Sequence, residues 1–278
     1  MEAQAGAVQT ERPAGAAPPS PGRTVRHPIP EALAPRSTWR APLLAARAVH
    51  RALRYRLRLN PHQIRAMNGL LPRAGVGIDV GAHKGAYSCW MAWRVGPQGR
   101  VLAFEPQDRL APRTAQSLRA LGLRQVRLFH SAVSDRCGSA AIAVRRSSTH
   151  GASMEGIRGD AIDQQPVAIV SLDAVAAAER LPRVDFIKID VEGHEMAVLR
   201  GASRILERFG PALLIELEAR HHAGGDPTAA AMALLAPLGY RGYFFDRGGR
   251  RPIEGFSAAG HQRYGEGAYC NDFLFVRA

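Results

Sequence analysis

From Val76 onward, short apolar runs alternate with longer stretches in which apolar residues recur every three or four positions. The short runs are typical of buried β-strands, and the longer spacing is typical of helices that bury one face. The pattern predicts strands at Val76–Val80, Val101–Phe104, Gln125–Ala132, Phe186–Ile189, Ala212–Leu217, Tyr240–Phe245 and Asp272–Val276. It predicts helices at Tyr87–Val95, Leu110–Leu121, Glu195–Phe209 and Ala229–Leu235. This alternation favours an α/β fold, with a mostly parallel sheet that carries helices on both faces.

The alternation is interrupted between Gly138 and Asp173. Two short apolar runs in this region, Ala140–Val144 and Val167–Val170, surround a polar loop from Ser147 to Gln165. We expect a small β excursion from the main sheet here.

The chain before this pattern divides into two parts. Residues 1–36 are rich in Ala, Pro and Gly, so we expect a disordered tail. Residues 37–72 predict a basic amphipathic helical segment, with Ser37 or Thr38 as the cap of a helix that ends near Leu59. Its apolar stripe comprises Trp39, Leu43, Ala46, Leu53 and Leu57. The stripe either docks on the main domain, residues 73–278, or lies on an anionic membrane surface through residues 37–59.

The net charge of +13 is concentrated at the N-terminus. Residues 1–74 contain 12 Arg, no Lys and three Glu, and the only lysines of the chain are Lys84 and Lys188. This skew is typical of a GC-rich bacterial genome, and no nucleic-acid-binding motif accompanies it, so we expect no nucleic-acid partner. The chain has no apolar run long enough to span a membrane and only three widely spaced cysteines. These features favour a cytoplasmic protein.

The sequence DVGAHKG, Asp79 to Gly85, directly follows the first predicted strand. Ligands of open parallel sheets bind beyond the carboxyl ends of the strands. Gly81 and Gly85 allow a sharp turn with exposed backbone. A carboxylate at Asp79 would repel a pyrophosphate, which a dinucleotide site has to hold. The turn therefore favours a ligand that lacks phosphate and carries cationic groups.

A second acid, Glu105, ends the next predicted strand, about 20 residues beyond Gly85. A carboxylate at this place can accept hydrogen bonds from both hydroxyls of a ribose. A ribose without phosphate, together with ammonium and sulfonium groups beside an acidic turn, describes S-adenosylmethionine.

Several motifs together resemble the FkbM family of S-adenosylmethionine-dependent methyltransferases. They are GIDVGAHKGAYS, VLAFEPQ, HSAVSD, VSLDAV, VDFIKIDVEGHEMAVLRGA and ALLIELE, and they span residues 76–217. The resemblance implies a Rossmann-like class I methyltransferase with a seven-stranded, mostly parallel sheet whose last strand is antiparallel. It also implies methyl transfer, usually to a hydroxyl oxygen of a small-molecule, sugar or lipid-like acceptor.

The resemblance also assigns cofactor contacts. The methionine end of the cofactor is expected at the turn, the ribose at Glu105, and the adenine edge at the residues that follow the third strand. The turn residues are Asp79, Gly81, Ala82, His83 and Gly85, and the adenine-edge residues are Ser131 and Ala132. His83 is a departure, because the family usually has Asn at this position.

Candidate catalytic residues lie in and after the strand Phe186–Ile189. Lys188 and Asp190 are two positions apart, so their side chains point to the same side of the strand. Asp190 is a candidate base or metal ligand, Lys188 a group that neutralises it or contacts the acceptor, and metal dependence stays open. Glu192 and Glu216 face the same rim and complete the set. His194 is interpreted as a surface histidine rather than a base.

Two other functions remain compatible with the sequence. One is an NAD(P)-dependent oxidoreductase on the related dinucleotide fold, against which stand Asp79 and the absence of a G-x-G-x-x-G motif. The other is a non-catalytic binding module that keeps the methyltransferase fold. Retention of Asp79, Glu105 and Asp190 argues against that module.

Overall fold

The computed structural model describes Leu33 and residues 41–145, 152–155, 162–222, 225–246, 249–263 and 269–278. The tail of residues 1–36, apart from Leu33, lies outside the described residues, as do Ser37, Thr38 and Trp39 of the predicted helix.

The described strands form one large and one small sheet. In chain order they are β1 (Val76–Val80), β2 (Arg100–Phe104), β3 (Val126–Phe129), β4 (Ala132–Val133), β5 (Gly138–Arg145), β6 (Ile162–Val170), β7 (Phe186–Ile189), β8 (Ala212–Glu216), β9 (Tyr240–Asp246), β10 (Gly249–Pro252) and β11 (Asp272–Arg277). The large sheet has the order β10-β9-β11-β8-β7-β1-β2-β3, and the small sheet has the order β4-β6-β5.

The large sheet contains all seven predicted strands. Five neighbouring strands run parallel to one another, in the order β8-β7-β1-β2-β3. Strand β11 runs antiparallel to both of its neighbours, as the family resemblance implied. An eighth strand, β10, extends the edge as an antiparallel partner of β9. The hydrophobic pattern did not predict β10 because all four of its residues are exposed and no apolar run marks it.

Helices cover both faces of the large sheet. They are α1 (Ala41–Arg54), which continues as a π-helical turn (Tyr55–Leu59), α2 (Pro61–Leu70), α3 (Ala86–Val95), α4 (Ala111–Ala120), α5 (Leu172–Ala178), α6 (Glu195–Arg200), α7 (Ser203–Phe209), α8 (Pro227–Leu235) and α9 (Ala258–His261). Two buried apolar clusters result, one on each face; β1 supplies Ile78 to the first and β2 supplies Val101 to the second.

Two predicted elements are divided in the structure. The single helix expected over 195–209 is two helices, because the chain turns at Gly201, where any Cβ would collide with the carbonyl oxygen of Ser134. The strand expected over 125–132 ends at Phe129, and Ala132 begins the small sheet. The break places Ser131 at the point where the chain leaves the large sheet.

Helix α1 does lie against the domain, but the predicted contact face is wrong. Leu43, Leu53 and Leu57 are 51%, 43% and 69% exposed, whereas Ala48 and Ala52 are buried. The indole N–H of Trp90 in α3 donates a hydrogen bond to the carbonyl oxygen of Ala52 (2.8 Å). Small residues face the domain because they let two helices approach closely, which leucines at these positions would prevent.

Leu43 and Leu53 of α1, and Leu57 in its π-helical continuation, instead face outward among arginines. No helix in the described ranges combines the length and apolar character needed to cross a bilayer. Contact of this face with a membrane surface stays a prediction.

Candidate active site

A cavity among the described residues opens at the carboxyl ends of β1, β2 and β7. Its volume is about 1180 Å³, part of which is open to solvent. The sheet creates this place because parallel strands end at a common rim, where their last side chains and the following turns converge. All of the sequence-predicted site residues except Gly85 line the cavity.

The backbone conformation of the turn explains why glycine occupies positions 81 and 85. Gly81 adopts a φ of +77°, and a Cβ there would collide with the carbonyl oxygen of Asp190 at the end of β7. The backbone N–H groups of Gly81 and Ala82 both donate to the carbonyl oxygen of Phe104. Gly85, with a φ of +78°, directly precedes α3 and faces Thr114 rather than the cavity. The turn is therefore held by the ends of β2 and β7, and the prediction that Gly85 contacts the cofactor finds no support.

Asp79 is fully buried at the end of β1. Its Oδ2 accepts a hydrogen bond from the Ser88 hydroxyl at 2.5 Å, while its Oδ1 has no partner in the described part of the chain. Burial raises the pKa of Asp79, and Lys188 and the Ser88 hydroxyl oppose that increase. A buried carboxylate oxygen without a hydrogen-bond donor is energetically costly, so Oδ1 is suited to a ligand that donates a hydrogen bond to it.

Glu105 is held by backbone donors on both of its carboxylate oxygens. His83 N–H donates to Oε2 (2.7 Å) and Gln107 N–H donates to Oε1 (3.0 Å). Burial raises the pKa of Glu105 to about 7, against the effect of these two donors. The side chain thus joins the turn after β1 to the turn after β2, and its remaining lone pairs can accept further hydrogen bonds.

The adenine edge expected from the resemblance has a polar atom and an apolar wall. The buried hydroxyl of Ser131 has no partner among the described residues. Ala132 packs in one apolar cluster with Ile142 of β5 and with Met154, and all three line the cavity. The β excursion therefore supplies a wall of the cavity.

Lys188 and Asp190 form a partly buried ion pair with an Nζ–Oδ2 distance of 2.7 Å. Although burial lowers the pKa of Lys188, the carboxylates of Asp190 and Asp79 raise it above the ordinary value, so the ammonium stays charged. The Nζ atom also lies over the ring of Tyr87, 5.2 Å from the ring centroid. The buried hydroxyl of Tyr87 has no partner in the described ranges. The negative charge of Asp190 is thus compensated within the site.

Glu192 occupies the turn between β7 and α6 with a φ of +54°. Burial, followed by the charges of Asp190 and Glu218, raises its pKa to about 7. Its Oε2 lies 3.3 Å from Nε2 of His221, a contact that no sequence pattern indicated. Glu192 is the candidate catalytic group best matched to proton uptake near neutral pH.

Neighbouring side chains hold this turn in place. Glu195 accepts from the Gly193 N–H (2.9 Å) and contacts His222 (3.1 Å), and the Ser153 hydroxyl donates to the Glu192 carbonyl oxygen (2.7 Å). The left-handed backbone of Glu192 is sustained by these contacts.

Glu216 lies at the end of β8, and its Oε1 accepts from the side-chain amide of Asn271 at 2.6 Å. Burial and then Asp190 and Asp272 raise its pKa well above the ordinary value. Glu216 lines the cavity, so its carboxyl group can form a hydrogen bond with a ligand there.

The interpretation of His194 as a surface residue is wrong. Its side chain is only 13% exposed and lines the cavity, with Nε2 3.0 Å from the Ser134 hydroxyl and Nδ1 2.7 Å from Glu155. The segment 152–155 packs over the turn and buries the ring, a contact between distant residues that local sequence does not report.

Sequence reasoning also missed Arg51 and Tyr55, which line the cavity from α1 and its π-helical continuation. The ring of Tyr55 meets that of Tyr87 edge-on, with centroids 6.1 Å apart. The only signal for Arg51 was its four-residue spacing from Tyr55, and the abundance of arginine concealed it.

No group of three or more His, Cys, Asp or Glu side chains among the described residues is arranged to hold a metal ion. The possible metal role of Asp190 therefore finds no support in the geometry of the described site.

The sheet order and the rim that carries Asp79 and Glu105 define a Rossmann-like fold of the class I methyltransferase type. The chain belongs to the FkbM methyltransferase family, since residues 79–242, more than half of its length, match the family model of the methyltransferase FkbM domain. Helix α1 with Arg51, and its π-helical continuation with Tyr55, lie outside the matched residues.

A curated relative is the hexuronic acid methyltransferase AglP of Haloferax volcanii, which is 30% identical over 154 residues. The match covers 54% of this chain and 56% of AglP, so the chain spans about half the length of that relative.

Solved structures also resemble the chain. One is the O-methyltransferase from Bacillus cereus in complex with SAH, at 14% identity, with 88% of this chain and 93% of that chain covered and a TM-score of 0.47. Another is the methyltransferase FkbM from Methylobacillus flagellatus KT, at 16% identity, with 84% and 55% covered and a TM-score of 0.44.

Proposed function

We propose that the protein transfers the methyl group of S-adenosylmethionine to an oxygen atom of a small-molecule acceptor, with sugars as the acceptor class that AglP suggests. The observation that carries the proposal is a single cavity whose lining residues include three buried polar atoms without partners in the described chain. These are Oδ1 of Asp79, the Ser131 hydroxyl and the Tyr87 hydroxyl.

The residues present fit this cofactor. Asp79 would bind its ammonium group, Glu105 its ribose hydroxyls, and Ser131 its adenine, with Met154 and Ile142 against the ring. When bound, S-adenosylmethionine supplies an electrophilic methyl group on a sulfonium. A nicotinamide dinucleotide fits less well, because Asp79 would face a pyrophosphate.

Alignment of the reactants supplies most of the expected rate enhancement. For a hydroxyl acceptor, the carboxylate of Glu192 would take up the hydroxyl proton as the oxygen accepts the methyl group. The ion pair of Lys188 and Asp190 then serves to orient the acceptor rather than to accept the proton.

Calorimetry tests the cofactor assignment. We expect S-adenosylhomocysteine to bind and NADH not to bind. Glu105→Gln should weaken S-adenosylhomocysteine binding by about 1.5–3 kcal/mol, the scale of a lost charged hydrogen bond. Glutamine is preferred to alanine, because its amide oxygen can still accept from one of the backbone donors of His83 and Gln107, whereas alanine leaves both unpaired.

Asp108→Asn is the matched control, since this acid lies in the same turn with a side chain that is 64% exposed. Binding of NADH without S-adenosylhomocysteine would overturn the proposed function. Equal affinity in a folded Glu105→Gln variant would remove only the ribose assignment.

A further inference from the structure

Arg51 places a cation in the cavity from outside the matched family domain. It lies in α1, and its guanidinium donates a hydrogen bond from Nη1 to the backbone carbonyl oxygen of Lys84 at 2.8 Å. Lys84 belongs to the turn after β1, so the guanidinium is fixed at the turn where the methionine end of the cofactor is expected. The docking of α1 through Ala52 and Trp90 holds the side chain there.

Most N–H donors of the Arg51 guanidinium are available to a ligand. An arginine carries five N–H donors, and the structure gives one hydrogen bond for Arg51 within the described residues. No described carboxylate lies within ion-pair distance of it, whereas Lys188, another cation of the cavity lining, is paired with Asp190. A half-buried cation without a counter-ion is costly unless a ligand supplies the negative charge.

A second cation near Arg51 strengthens the case for an anionic ligand. Lys84 also lines the cavity, and burial together with the charge of Arg51 lowers the pKa of Lys84. Two cations close to each other favour an anion between them. The planar fork of a guanidinium matches the two oxygens of a carboxylate, with two parallel hydrogen bonds.

We propose that Arg51 binds a carboxylate group in the cavity, with Lys84 beside it. The inference rests on the proposed function, which offers two sources of that group: the methionine end of the cofactor, or an acidic acceptor such as a sugar acid. Either way, α1 completes the binding site rather than only covering the sheet.

Calorimetry with paired probes tests the proposal in the full chain. S-adenosylhomocysteine carries the amino-acid carboxylate, and 5′-methylthioadenosine lacks it. Glucuronate carries a sugar carboxylate, and glucose lacks it; both are titrated in the presence of S-adenosylhomocysteine. The variants are Arg51→Gln, Arg51→Lys and, as a matched control one turn away, Arg54→Gln, whose side chain is exposed.

If the cofactor supplies the carboxylate, Arg51→Gln weakens S-adenosylhomocysteine by about 10- to 100-fold and leaves 5′-methylthioadenosine unchanged. If the acceptor supplies it, glucuronate loses its advantage over glucose in Arg51→Gln. Arg51→Lys keeps the positive charge but not the forked pair of donors, so in both cases it should weaken binding less than Arg51→Gln does. Arg54→Gln should match the wild type throughout.

The proposal is overturned if Arg51→Gln binds S-adenosylhomocysteine as the wild type does and glucuronate binds no better than glucose to the wild type. It is also overturned if both adenosine probes weaken equally, which indicates a general distortion. Absence of any wild-type binding of S-adenosylhomocysteine and 5′-methylthioadenosine would instead refute the proposed function.

Discussion

At the residue scale, two neighbouring acids of the rim have different environments. Asp190 is paired with the ammonium of Lys188 at 2.7 Å, while Oε2 of Glu192 lies 3.3 Å from Nε2 of His221. Burial raises the pKa of Glu192 to about 7 and, with the charge of Arg220, lowers that of His221. The contact thus brings a carboxyl group with a raised pKa against an imidazole with a lowered pKa, from two separate segments of the chain.

This difference predicts the pH dependence of methyl transfer to a hydroxyl. Only ionised Glu192 can take up the proton, so kcat at saturating cofactor should rise with pH and level off above about 7. Glu192→Gln should lose this rise and about 10²- to 10⁴-fold in kcat. The acceptor for the assay can be found by following labelled methyl groups into cell extracts.

Asp190→Asn provides the comparison, because it removes a charge from the same turn without removing Glu192. It should lower the rate yet keep the rise with pH. A wild-type rate that does not change between pH 5.5 and 8, or an Asp190→Asn variant that alone loses the rise, would contradict the role of Glu192.

At the element scale, α1 is both a packing element and a wall of the site. Its buried face consists of small residues, and Ala52 is fully inaccessible where the indole of Trp90 reaches its carbonyl oxygen. Close approach of α1 to α3 is what brings Arg51 to the turn after β1. The position of this helix therefore controls both stability and the cavity.

Ala52→Leu should lower the free energy of unfolding by about 1–3 kcal/mol, because the larger side chain forces α1 away from α3. Ala46→Leu, on the exposed face of the same helix, should change it by less than about 0.5 kcal/mol. Urea denaturation measures both. Equal stability of the two variants would mean that α1 does not pack on the domain in solution.

At the scale of the whole molecule, the fold concentrates buried acids at one rim of the sheet. Burial raises the pKa of Glu105 and of Glu192 to about 7, and burial with the charge of Asp190 raises that of Asp272 to about 6. Asp272 receives hydrogen bonds from Asn60 and Gln63, which tie α2 to the last strand.

These shifts predict how stability depends on pH. Because the folded state holds protons more tightly than the unfolded chain, these groups make the ligand-free protein less stable as pH rises from about 4.5 to about 7. Glu192→Gln removes one of them. The loss of unfolding free energy between pH 5 and pH 8 should therefore be smaller in Glu192→Gln than in the wild type.

Urea denaturation at several pH values measures the two slopes, and their difference isolates Glu192 from the remaining titrating groups. Identical slopes would mean that Glu192 has its ordinary pKa in the folded protein.

Much of the fold could be predicted from the sequence, because local periodicity reports which residues are buried. The seven strands and the positions of Asp79, Glu105 and Asp190 at strand ends follow from this pattern, and parallel strands bring their ends to one rim. Strand β10 could not be predicted in this way, since an exposed edge hairpin has no apolar run. The division of the helix at Gly201 depends on a distant backbone, that of Ser134.

The sequence by itself determined the α/β alternation, the acidic glycine turn and the residues that end each strand. Only the tertiary structure decided that α1 docks through alanines, that Arg51 rather than another arginine enters the cavity, and that Asp190 pairs with Lys188 while Glu192 contacts His221. The physical reason is that periodicity records burial along one segment, whereas charge compensation and helix contact depend on distances between segments far apart in the chain.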